Sequence, residues 1–232
     1  MPIMMNYDLT LRDLGYPAAS QLSHEAVAEL FVTYANPVEW YGFPPALVPI
    51  LSDGTWPLYV GLWKHWFVPR QPSFVELNVN LDHKVEEVAR DDRQLAALML
   101  LRLIVLRDGI DEDVRRLAAR LGVGDDDLAR LDAHTPEHAD FPEDLPLLPE
   151  FAEHPPQFSV EDGTDYDGEF PTGDVPRYSS YFEYDPDMLA GMSDLPPWLD
   201  PATDKPALFE TYLAAGDFGA AWLTLNGTGW TY

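Results

Sequence analysis

The 232-residue chain is 46% hydrophobic and 12% aromatic, enough apolar surface to offset ordering entropy, so disorder throughout is excluded. Forty Asp and Glu against 14 Lys and Arg leave a formal net charge of −26, which repels phosphate backbones and anionic headgroups and argues against nucleic-acid and membrane partners. With no cysteine, disulfides, thiolate metal sites and thiol nucleophiles are ruled out, and a cytoplasmic location is expected. The first ten residues have neither the basic nor the continuous apolar region of a signal peptide.

In chain order, Ser23 is placed to cap a helix whose Val27, Leu30, Phe31 and Tyr34 recur at i, i+3, i+4 and i+7. After Pro37 extended segments follow: Ala46 to Leu51, a turn at Ser52 to Thr55, Leu58 to His65, a break at Pro69 to Pro72, then Phe74 to Leu81. In the last of these Val75, Leu77, Val79 and Leu81 alternate with Glu76, Asn78 and Asn80, so a three-stranded antiparallel meander with one buried face is expected. A helix is expected from Val85 to Arg107, stopping at Gly109; its run Leu95 to Leu106, broken by Arg102, reads as a buried helix too short to cross a membrane. Asp111 caps a second helix with a Val114, Leu117, Ala118 and Leu121 stripe, stopped by Gly122, and a third runs from Asp126 to Leu131. Asp204 and Pro206 start a helix ending at Gly216, and Asp217 starts another through Leu225.

The charge is regional. Residues 125–200 hold 21 Asp and Glu but only Arg130 and Arg177, a charge of −19, against −7 for the rest. Eleven prolines there break helices and central strands. Apolar side chains, among them Leu147, Leu148, Phe151, Tyr166 and Trp198, are spaced to pin the stretch to a folded core. The expected class is α+β: an N-terminal helix and small β-meander packed with a helical block, a long acidic Pro-rich segment, and two short C-terminal helices. The divisions are 1–124 for the core, 125–203 for the acidic segment packed on it, and 204–232 for the returning helices, within one compact domain.

Few motifs carry chemistry. In Trp63-Lys64-His65-Trp66 the histidine is either a general base or a packed, hydrogen-bonded residue, and a base needs a nucleophile or orienter that the sequence does not identify. His134 and His138 lie among carboxylates as zinc ligands do, but Pro136 between them argues against a shared helical face and for a solvated turn. Gly163 to Asp174 partly echoes a calcium loop, yet begins with Gly and ends with Asp. No metal or other cofactor is expected.

The segment ALVPILSDGTWPLYVGLWKHWFVPRQPSFVELNVNL, residues 46–81, resembles, together with the helix expected before it from residue 24, the helix-then-meander part of the SMI1/KNR4 (SUKH) superfamily. Many bacterial members of that superfamily are immunity proteins for polymorphic toxins, so the resemblance implies a non-catalytic inhibitor. The expected partner is a basic protein such as a toxin domain, met by Asp162, Asp165, Tyr166, Asp167, Glu169, Phe170, Asp174, Tyr178, Tyr181, Glu183, Tyr184 and Asp185. Aromatic anchors would supply binding energy and carboxylates the steering. Two rivals stay open: an enzyme with a site near His65 beneath the acidic segment, and a structural or assembly protein whose acidity serves solubility.

Overall fold

The computed structural model describes residues 7–22, 34–35, 47–53, 58–63, 71–78, 84–138, 147–154, 156, 197–198, 200 and 202–226. Helices α1 (Tyr7–Asp13) and α2 (Pro17–Leu22) precede five strands: β1 (Tyr34–Ala35), β2 (Leu47–Asp53), β3 (Leu58–Trp63), β4 (Ser73–Asn78) and β5 (Lys84–Ala89). Then come α3 (Asp92–Arg107), α4 (Glu112–Leu121), α5 (Asp125–His138), the single turn α6 (Pro149–Ala152), α7 (Lys205–Ala215) and α8 (Phe218–Asn226). The class is α+β, with the strands in one antiparallel sheet in chain order.

The expected meander is the centre of this sheet, β2 to β4, and pairing extends it on both sides. Tyr34 pairs with Asp53 as part of β1 rather than closing a helical stripe; Ser23, Val27, Leu30 and Phe31 lie outside the described residues. Residues 85–89, read from sequence as the start of a helix, instead belong to β5, which pairs with β4. The helix begins only at Asp91, which accepts from the Gln94 amide while the Gln94 side chain accepts from the Arg90 amide at 2.8 Å. This is close to a capping box, with Asp and Gln three apart.

Both faces of the sheet are buried, not one. Residues paired across an antiparallel ladder share a face, so Val48, Leu62 and Phe74 form a row on one side and Leu47, Trp63 and Ser73 a row on the other. All six are buried, and each large aliphatic or aromatic side chain so removed from water contributes roughly 1.5–3 kcal/mol. Glu76, whose alternation with valine and leucine pointed to solvent, is instead half-buried and paired with Arg102 of α3. Across from Gly61 the ladder skips between Pro49 and Leu51. A Cβ on Gly61 would sit 2.6 Å from both the Val48 carbonyl oxygen and Leu47 Cδ1, so only glycine lets the strands approach here.

Helix α3 is the hub, with ten of its 16 residues buried, as the apolar run predicts. Its left-handed cap is Asp108, at φ 57°, with Gly109 following it. The capping of α4 by Asp111 and Gly122 and of α7 by Asp204 and Gly216 is as expected. Helix α8 returns to the N-terminal helices: the Phe218 amide donates to Asp13 Oδ2 at 2.8 Å. Helices α1 and α2, not anticipated from sequence, contribute the buried Leu11, Ala19 and Leu22. Among the described residues no helix is long and apolar enough to cross a membrane.

Candidate functional site

The residues expected to meet a partner, Asp162 to Asp185, lie outside the described residues, as do His65 and the Gly163 to Asp174 run. Of the apolar side chains expected to pin the acidic stretch, Leu148 and Phe151 are fully buried and Trp198 packs partly buried against the core, with its ring 6.5 Å from Tyr212. Leu147, expected to do the same, is 65% exposed.

His134 and His138 do share a helix, contrary to the turn expected around Pro136. Helix α5 runs through to His138. Proline has no amide to offer the carbonyl four residues back, and the Thr135 hydroxyl donates to that carbonyl, of Asp132, at 2.7 Å. Among the described residues no group of three or more His, Asp or Glu is placed to hold a metal ion.

What the fold does assemble is a cavity of about 320 Å³ where α2, α3, the α4–α5 connection and α6 meet. Its walls are Ala18, Ala96, Ala97, Leu121, Gly122, Val123 and Leu131, and its polar lining is Asp92, Arg93, Asp127 and Glu150. Gln94 sets the geometry: its amide nitrogen donates to the carbonyls of Glu150 and His154 at 3.1 and 2.8 Å, fastening α6 to the start of α3. Pro149 at the first turn of α6 then presents Glu150 inward.

Arg130 donates to Asp127 Oδ1 at 2.8 Å and to Glu150 Oε1, and Arg93 lies 3.6 Å from the same Oε1. Burial alone would pull the Arg130 guanidinium down, but Asp127 and Glu150 outweigh it and hold it above its ordinary value. The Glu150 side chain is only 5% exposed, and its Oε2 has no hydrogen-bond partner. Burial pushes the Asp92 carboxyl above the usual carboxylate range, against hydrogen bonds from the Ala18 and Ala19 amides and with a further rise from Asp91. The Ala18 amide reaches Asp92 Oδ2 at 3.2 Å, while Oδ1 is buried without a partner. Beside it, burial and then the charges of Asp92 and Asp91 push the Tyr16 phenol up, and its hydroxyl donates to the Pro72 carbonyl.

The cavity therefore sets three carboxylates and one guanidinium against apolar walls. The titratable groups of its described lining are the carboxylates of Asp92, Asp127 and Glu150 and the Arg93 guanidinium. Sequence reading missed it because its α3 and α6 parts are far apart in the chain, Ala97 and Glu150 being the nearest. The available signal was Arg130: one of two cations among 21 carboxylates in its stretch is expected to be claimed by a buried acid. Compared with family models, curated proteins and solved structures, the chain finds no match in any of the three.

Proposed function

We propose that the protein is a non-catalytic, acidic binding protein that covers and neutralises a basic protein, in the manner of an immunity protein acting on a toxin domain. The observation that carries this reading is the regional charge: residues 157–196 hold ten Asp and Glu against the single Arg177. Just before that stretch Asp125 is paired with Arg115, and Asp127 and Glu150 with Arg130. The same segment contains Tyr166, Phe170, Tyr178, Tyr181 and Tyr184. A crowded negative surface steers a cationic protein and raises the on-rate, and aromatic side chains desolvated at contact contribute most of the binding energy. No cofactor is required.

The test is affinity capture from the cells of origin at low and high salt, followed by assay of the captured protein's own activity with and without the chain. The reading expects a basic partner, retained at low ionic strength and weakened at high, because exposed charges are screened within a Debye length of about 10 Å at 0.1 M salt. It further expects that activity to be inhibited. A partner that is acidic, or that stays active in the complex, would refute it.

A further inference from the structure

We propose that Gln94 is a positioning residue for partner binding: by clamping α6 it fixes the root from which the acidic stretch 157–196 leaves the core. The inference rests on the docking reading above and assigns a role to a residue outside that stretch. The first observation is the Gln94 side chain. It is 1% exposed, and its Nε2 donates to the carbonyls of Glu150 and His154 while its Oε1 accepts from the Arg90 amide. The two carbonyls lie in a helix of four residues and just beyond it, where carbonyls lack intrahelical donors. A glutamine brings two donors on one nitrogen, and an apolar side chain could hold neither carbonyl.

The second observation is that the chain is fastened to the core on both sides of the stretch. On the near side Leu148, Phe151 and Pro156 are buried, and the Glu150 carboxylate engages Arg130 and Arg93. On the far side Trp198 packs against the core, its ring 6.5 Å from Tyr212. Between these roots the sequence holds ten Asp and Glu against Arg177. Binding must order whatever is not already fixed, so roots held on the core leave less to order and slow the release of a partner. Steering acts at longer range, through the carboxylates themselves. The two contributions separate in kinetics: the carboxylates set the on-rate, and the roots set the off-rate.

The test is stopped-flow kinetics of the full chain with the basic protein captured from its cells of origin. Gln94→Glu keeps an oxygen for the Arg90 amide and removes both donors, without removing any carboxylate. It is expected to raise the dissociation rate at least tenfold and to leave the association rate within about twofold of wild type. A role confined to fold stability would lower the melting temperature and leave both rate constants of the folded variant unchanged. Trp198→Ala loosens the other root and gives the same readout should Gln94→Glu fail to fold. Amide hydrogen exchange over residues 148–154, measured without a partner, is expected to be faster in Gln94→Glu. If the wild-type chain captured no basic protein, the docking reading itself would fall. Capture followed by release from a folded variant at the wild-type rate, a loss confined to the association rate, or unchanged exchange would overturn the clamp and leave that reading intact.

Discussion

On the sheet, Glu76 and the fully buried Glu87 are each met by an arginine, Arg102 from α3 and Arg90 just beyond β5. At the helical junction, by contrast, Glu150 engages Arg130 and Arg93 through one oxygen and leaves the other unmatched. Strand pairing fixes the neighbours of a sheet carboxylate on a repeating lattice. The junction is built from a loop-borne turn set against a helix start, and its polar groups match only in part. The difference is that the junction carboxylate, unlike the two on the sheet, keeps one buried oxygen without a hydrogen-bond partner.

Four substitutions break or sharpen that contrast. The largest effect belongs to packing on the sheet. Phe74 is fully buried and meets the Tyr16 ring edge-on at 5.3 Å, so Phe74→Ala is expected to cost about 3–5 kcal/mol in urea denaturation. Next, Arg130→Met removes the hydrogen-bonded partner of a carboxylate that is 5% exposed, leaving it only Arg93 at 3.6 Å, and is expected to cost about 3 kcal/mol. Arg102→Met, whose partner Glu76 is three times more exposed at 15%, should cost about 1–2 kcal/mol in the same assay. If the two arginine variants were equal, or their order reversed, the contrast between the regions would fail. Asp111→Ala removes the oxygen that accepts from the Val114 amide at 2.9 Å, at about 1 kcal/mol in the same assay.

The smallest effect is one of pH. Because burial raises the Asp92 pKa on folding, the folded state holds that proton more tightly than the unfolded one. Ionisation of Asp92 therefore lowers stability as pH rises from the ordinary carboxylate range through the folded pKa. The facing groups are the Ala18 and Ala19 amides, which favour the charged form, with Asp91 and Tyr16 alongside. Asp92→Asn should accordingly gain stability relative to the wild-type chain as pH rises above the ordinary carboxylate range in parallel thermal melts. A constant difference across that range would show that the carboxyl does not titrate as described.

The legible parts of the fold were those written in local chemistry. Asp111 with Gly122, and Asp204 with Gly216, mark helix ends because side-chain oxygens and left-handed caps act within a few residues. The valine and leucine alternation at 75–77 likewise located β4. What failed depended on distant partners. Lys84 to Ala89 lie in a strand because β4 offers them a ladder, although Asp91-x-x-Gln94 carried the true helix start. Glu76 looked solvent-facing because its ion-pair partner, Arg102, is 26 residues away. Pro136 pointed to a break that the Thr135 hydroxyl averts. Of the site, only the regional charge was readable, whereas the cavity needs α3 and α6 brought together by Gln94.

The central claim, that the acidic third is a docking face for a cationic protein, is tested most directly by association kinetics. Asp162, Asp165, Asp167, Glu169, Asp174 and Asp185 would be replaced by their amides, and the on-rate for the captured basic partner measured by stopped flow as a function of salt. The account predicts an on-rate at least tenfold lower at low salt, with the wild-type and neutralised chains converging as salt rises. An unchanged on-rate, equally insensitive to salt in both chains, would contradict it.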